Sequence, residues 1–339
     1  MGNVKHSPQA SVTTHQVNDR ELGLGVRAQL MKALIKHGLT AAGMLARRVY
    51  QARGAFSNFE IIRDIGYGSE PAQRLEVWRD NRPRTALRPL VLFLHAGGFQ
   101  HLDKETHWAF AERFAQAGAV VVNADYRLAP AHRYPAAVLD AELAYQWTLR
   151  HAEALGADPR QLVLAGASAG ANLALGLAIR HSLQQQETSE RAAAVVLFSG
   201  LLQVSDMPRL YRSRRVSRLL QARIASIGCD YPVTDLAAWS VPSEPDPRLD
   251  PLLYLEAQQT SLSGFPATFV STGSADQVLE HSLRLSACLA RHGQPYQLDM
   301  LQGAGHAFQG LLFKASVRTL WERCFAFLRE QGVALQSTC

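Results

Sequence analysis

Cysteine is scarce in this chain, and with it the patterns that would suggest metal or redox work. Four cysteines occur in 339 residues. Cys229, Cys288, Cys324 and Cys339 form no CxxC pair and no Cys/His spacing suited to zinc, so the expectation is free thiols in a reducing compartment. No apolar run approaches the roughly 20 residues needed to span a bilayer. The polar start MGNVKHSPQASVTTHQVNDRELGLG lacks the apolar stretch of a signal peptide, and His6 stands where a myristoylation signal needs Ser or Thr. These absences predict a cytoplasmic protein without stable membrane insertion. Charged residues are only 19% of the chain and the net charge is +6. The basic residues are dispersed and not gathered into one tract, which speaks against nucleic acid as a partner and allows at most a weak pull on anions. No internal repeat, low-complexity tract, phosphate-binding glycine fingerprint or metal-ligand cluster is visible, so no cofactor and no metal are expected.

What is present is a long alternation of short apolar runs and helical patterns. Residues 1–18 are polar and read as a disordered tail. From Leu22 to Ala52, apolar Val26, Leu30, Leu34, Ile35 and Leu39 recur at helical spacing among Arg27, Lys32 and Lys36, predicting one or two amphipathic helices. Strands are expected over Phe59–Ile65, Arg74–Trp78, Leu90–Leu94, Val120–Asn123, Leu162–Leu164, Ala194–Phe198, Ala267–Val270 and Tyr296–Met300. Helices are expected over Ala136–His151, from Ala169, over Leu279–His292 and over Ala315–Glu330. Apolar strands alternating with helices specify an α/β fold, a mostly parallel sheet covered on both faces. Between Gly200 and Pro251 the alternation stops. That segment holds a basic helical stretch, Leu210–Ile227, and a return rich in Pro, Ser and Asp (Pro242, Ser243, Pro245, Pro247), and it reads as a lid. Its arginines, Arg209, Arg212, Arg214, Arg215 and Arg218, are either a solvated helix face or a means of drawing in an anionic substrate.

Four short segments carry chemistry. Gly166-Ala167-Ser168-Ala169-Gly170 lies between a strand and a small-residue helix, where a sharp turn exposes the Ser168 hydroxyl and flanking side chains would collide with neighbouring elements. His95-Ala96-Gly97-Gly98-Phe99 ends an earlier strand; a glycine-rich loop there can offer backbone N–H donors to a tetrahedral oxyanion. Gly303-Ala304-Gly305-His306 places an imidazole on a small-residue loop near the chain end, suited to accept the Ser168 proton. Gly273-Ser274-Ala275-Asp276 follows a strand, and Asp276 is placed to orient that imidazole, with Glu280 a turn further on as the rival acid. The chain order Ser, Asp, His is that expected for an α/β-hydrolase triad.

With these segments assembled, residues 56–332 resemble the hormone-sensitive-lipase-like (family IV) esterases of the α/β-hydrolase superfamily. The resemblance includes Asp125-Tyr126-Arg127-Leu128-Ala129-Pro130 with Tyr134-Pro135-Ala136-Ala137, a run that buttresses the active-site loops in that family, and Asp250-Pro251-Leu252-Leu253. It implies an eight-stranded core made of residues 56–200 and 251–332. It also implies a helical cap from residues 19–55 and the insertion 201–250. Ser168, Asp276 and His306 would be catalytic, the N–H groups of Gly97, Gly98 and Ala169 would form the oxyanion hole, and His95 would support the loop. The implied activity is hydrolysis of small to medium acyl or aryl esters through an acyl-enzyme, by a protein compatible with a homodimer. An arylformamidase-type amidase and a non-catalytic ligand receptor on the same fold are the alternatives. Three positions depart from the family pattern: Ala96 replaces a glycine, Ala167 an acidic residue, and only Glu280 matches an acid expected near the end of the Asp276 turn.

Overall fold

In a β-strand, successive side chains point to opposite faces, so a run that is apolar at every position needs cover on both sides. Leu90, Leu92 and Leu94 accordingly pack into one hydrophobic core, while Val91 and Phe93 pack into a second core on the other face. A computed structural model describes residues 26–184, 191–207, 209–212, 227–228, 230–231 and 246–336. Within it the strands β1 (Phe59–Gly66), β2 (Arg74–Asp80), β3 (Arg88–Leu94), β4 (Val120–Ala124), β5 (Ala157–Ala167), β6 (Ala194–Phe198), β7 (Ala267–Gly273) and β8 (Tyr296–Leu301) form one eight-stranded sheet. Its order is β1-β2-β4-β3-β5-β6-β7-β8. The pairs β1·β2 and β2·β4 are antiparallel and the remaining pairs are parallel. The sheet is therefore mostly parallel, as the alternation implies, and has the eight strands that the resemblance implies.

Helices cover both faces. The helix α3 (Ala136–His151), the helix α4 (Ala169–Ile179) and the helix Leu279–Arg291 contribute to the core that holds Leu90 and Leu92. The helix α2 (Trp108–Gln116) and the helix Ala315–Glu330 contribute Phe110, Phe114, Trp321 and Phe325 to the other. Besides the short helix Pro251–Ala257, two features that shape the core are absent from the sequence reading. One is α2 itself, whose Trp108, Ala111 and Ala115 recur at helical spacing and are all buried. The other is the lower half of β5, where Ala157 and Asp158 pair with Arg88 and Pro89 before a register shift. The turn-like sequence Asp158-Pro159-Arg160 hides this half, because pairing with a neighbouring strand overrides its local preference.

The chain passes from β3 outward to β4 and then returns across the sheet to β5, so the sheet order reverses between β3 and β5. In parallel α/β sheets the crevice beyond the carboxyl ends of the strands at such a reversal is where ligands bind. Leu94 at the end of β3 lies in register with Gly166 near the end of β5, which places the two glycine-rich segments side by side.

The N-terminal segment is one continuous helix, α1 (Val26–Ala52). Its C-terminal half is tied to the sheet by Arg47, whose guanidinium forms a two-bond pair with Glu76 of β2 at 2.7 and 3.3 Å. Both side chains are almost fully buried, and Asn123 of β4 donates to the same carboxylate at 3.0 Å. Cys288 and Cys324 are free, buried thiols; Cys229 and Cys339 lie outside the described residues. No helix among the described residues is long and apolar enough to cross a membrane.

Removing one member of a buried ion pair strands the other charge. Arg47→Met is expected to lower stability by about 3–5 kcal/mol, read as the shift of the urea midpoint. The double substitution with Glu76→Leu should recover most of that loss; equal midpoints for both proteins would contradict the account.

Candidate active site

Ser168 stands between β5 and α4 with φ 51 and ψ −110, a backbone conformation that side-chain-bearing residues rarely adopt. The neighbouring glycines make this turn possible. A β-carbon at Gly166 would lie 2.2 Å from the Gly170 carbonyl oxygen, and one at Gly170 would lie 2.0 Å from the Leu94 oxygen. Helix α4 therefore starts pressed against the end of β3, and its first turn points at the serine. The Ser168 amide donates to the Phe198 oxygen at 2.9 Å, and the Ser168 carbonyl accepts from the Leu201 amide at 3.0 Å, so the turn is clamped from β6.

His306 bridges the serine and the acid. Its Nε2 is 2.9 Å from Ser168 Oγ and its Nδ1 is 2.8 Å from Asp276 Oδ1. Since a carboxylate only accepts, Nδ1 carries the proton and Nε2 presents its lone pair to the hydroxyl. The two loops are bound together: the Ala275 amide donates to the Ala304 oxygen at 2.9 Å and the Gly303 amide to Ser274 Oγ at 2.8 Å. A β-carbon at Gly273 would stand 2.1 Å from the Ala304 oxygen, which is why β7 must end in glycine there. Burial alone would push the Asp276 carboxyl up. The charge of His306 and hydrogen bonds from His306, Ser199 and the Val278 amide outweigh it and hold the group below the usual aspartate range. The rival acid Glu280 faces away and pairs with Arg209 at 2.6 Å. One lid arginine is thus bound to an acid on the core; the side chains of Arg212, Arg214, Arg215 and Arg218 lie outside the described residues.

The loop after β3 presents its amides toward the start of α4. Gly97 and Gly98 have φ of 130 and 62, and a β-carbon at Gly97 would strike the His101 oxygen at 1.7 Å. None of the amides of Gly97, Gly98 and Ala169 donates to an acceptor among the described residues. The Ala96 amide, by contrast, is committed to Nε2 of His107 at 3.1 Å. Ala96 in place of glycine therefore leaves the donor set of the next two residues untouched. His95 is buried, bonds through Nδ1 to the Ala96 oxygen at 2.6 Å and stacks on Tyr126 at 4.1 Å. Tyr126 in turn donates to the His95 oxygen at 2.8 Å, and the Ala129 amide to the Phe99 oxygen at 2.8 Å. Asp125 holds Lys104 at 2.9 Å, and Arg127 holds Asp140 at 2.8 Å. The Asp125–Pro130 run is thus a brace behind the loop.

Sequence reasoning missed His107 and the pair Ser199 and Gln309 behind the acid. The separations of 11 residues between Ala96 and His107 and 110 between Ser199 and Gln309 leave no local pattern to read.

Residues 91–310 match the protein family described as alpha/beta hydrolase fold. Esterase LipU of Mycobacterium tuberculosis is 34% identical over 233 residues, covering 67% of this chain and 72% of that protein. Esterase LipI of the same organism is 28% identical over 239 residues, 69% of each chain. Among solved structures, an esterase of Pyrobaculum calidifontis superposes with a TM-score of 0.72 at 25% identity, over 91% of this chain and 99% of that one.

Three buried histidines make the protein acid-sensitive. Burial, helped by Lys104 at the first, by His95 at the second and by Arg284 at the third, holds His95 down to about 4 and His107 and His281 down to about 3, against 6.5 for a free imidazole. Below pH 6.5 the unfolded chain binds protons that the folded chain refuses. This contribution to stability is complete above that value and declines as pH falls toward 4. His107→Gln keeps an acceptor for the Ala96 amide but does not titrate. It should shrink the stability difference between pH 7 and pH 5 by about 2 kcal/mol, measured by urea unfolding at both pH values.

Proposed function

The chain belongs to the α/β-hydrolase fold family, in its hormone-sensitive-lipase-like branch, and on that premise we propose that it is a serine carboxylesterase using Ser168, His306 and Asp276. The observation that supports this reading most is the double bridge of His306, 2.9 Å to the hydroxyl and 2.8 Å to the carboxylate. In the first half-reaction Ser168 Oγ attacks the ester carbonyl while His306 Nε2 takes its proton. The oxyanion that forms is met by the amides of Gly97, Gly98 and Ala169, with the first turn of α4 adding partial positive charge. His306 then protonates the departing alcohol, and a water activated by the same imidazole cleaves the acyl-enzyme. Asp276 stays ionised throughout and stabilises the imidazolium.

Residues 201–250 and the N-terminal helix act in this reading as a cap that sets substrate size. In support, Ile227 packs over Gly98, and Tyr231 stacks on Phe99 with ring centroids 3.8 Å apart. The Tyr231 carbonyl accepts from the Tyr134 amide at 2.9 Å. This apolar wall beside the amide loop suits uncharged acyl or aryl groups of small to medium size.

Ser168→Ala is expected to lower kcat on p-nitrophenyl butyrate by about 10⁴-fold or more, and to abolish labelling by a fluorophosphonate probe. Asp276→Asn leaves the hydroxyl in place but favours the wrong tautomer, and should cost about 10⁴-fold. A Ser168→Ala protein hydrolysing the ester at the parent rate would end the proposal.

A further inference from the structure

The stretch from the end of β2 to the start of β3 holds four arginines, Arg79, Arg82, Arg84 and Arg88. The fold gathers them at the end of the sheet opposite the candidate active site. β3 begins there with Arg88, in register with Ala157 at the start of β5, and runs away from it toward the amide loop. The four line a cleft of about 370 Å³ together with Asp80 and Glu60. Four guanidinium groups facing two carboxylates leave the lining with a surplus of two positive charges. Glu60 is taken by Arg79 at 2.7 Å. Asp80, almost fully buried, has about four places for a donor, and two arginines fill them. The Arg82 amide reaches Oδ1 at 3.1 Å, Arg82 Nε and Nη2 reach Oδ2 at 3.1 and 2.6 Å, and Arg88 Nη1 reaches Oδ1 at 2.8 Å. Arg84 comes fifth to that carboxylate, with Nη2 at 3.5 Å. None of its other N–H donors finds an acceptor among the described residues, and its Nε is buried. Yet the group is seated and does not swing in water. Its side chain is only 15% exposed, and it lies on Gly118, where a β-carbon would stand 1.9 Å from Nη2. Burial and the like charges of Arg88 and Arg82 push the Arg84 guanidinium down against the pull of Asp80.

We propose that this cleft is a binding site for a small anion bearing a phosphate group, gripped by the Arg84 fork. A phosphate carries close to two negative charges and three acceptor oxygens, which matches the surplus charge and the unused donors together. A monocarboxylate would meet only half of that charge. The planar fork of arginine suits phosphate oxygens two at a time. Arg82 supplies a second contact, because its side chain is 56% exposed and its Nη1 makes no bond among the described residues. Arg88 and Asp80 are the buried base that fixes the other two groups. Such a ligand would tie the end of β2 to the start of β3 and so stabilise the folded chain by mass action. The site is separate from Ser168 and does not depend on the triad reading.

Titration calorimetry with inorganic phosphate tests this, at constant ionic strength with chloride as the replacing ion. The parent protein is expected to bind one phosphate saturably, and its melting temperature to rise with phosphate but not with chloride. Arg84→Gln should weaken binding by about tenfold or more. Arg84→Lys keeps the charge but loses the fork and should weaken it by less, as should Arg82→Gln at the exposed edge. Melting curves without phosphate show which variants fold, and the folded ones decide. Equal affinity in the parent and the folded variants would mean an adventitious ion only, bound elsewhere, and would overturn the site. A parent protein that does not distinguish phosphate from chloride would overturn it as well.

Discussion

At Gly170 a hydrogen atom occupies the place where any other residue would put a carbon 2.0 Å from the Leu94 carbonyl oxygen. The close approach that this permits, and its counterpart at Gly166, bring the start of α4 against the ends of β3 and β5. The rest of the site follows from that contact. The serine is lifted into a strained turn with its hydroxyl outward, and the first amides of the helix are aimed where the loop after β3 also presents amides. Strain at φ 51 persists only because surrounding structure over-determines it. The clamps from Phe198 and Leu201 of the β6 segment supply that determination.

Polar groups buried beneath the site are arranged so that each retains one protonation state. His95 and His107 are kept neutral by burial, and their neutrality gives each a fixed tautomer: one nitrogen donates to a carbonyl or hydroxyl, and the free nitrogen of His107 accepts from the Ala96 amide. Asp276 is the opposite case, a carboxylate kept charged in a buried place by the donors around it. A loop of glycines has little stiffness of its own. The stiffness of this one comes from His107, Tyr126 and the Ala129 amide, which hold its backbone from behind.

The same division separates what could be read in the chain from what could not. Central strands of a parallel sheet are apolar throughout, so Leu90–Leu94, Ala194–Phe198 and Ala267–Val270 stand out in the sequence. The amphipathic α2 is no less regular, but it is short and lies between the glycine-rich loop and the apolar run of β4, whose local marks are stronger. Ser168, the HAGGF loop, Asp276 and His306 were legible because each lies in a short segment whose small residues are required by sterics, and sterics leave a local mark.

The sequence by itself determined the fold class, the order of the strands' apolar runs and the four short segments that the fold brings together, since these depend on side-chain periodicity and on glycine where no β-carbon fits. Only the tertiary structure decided that Asp276 and not Glu280 meets His306, that Arg209 is bound to Glu280, and that His107, Ser199 and Gln309 stand behind the site. Those choices depend on hydrogen bonds between residues far apart in the chain. A histidine, serine or glutamine that makes such a bond looks no different in sequence from one that faces water.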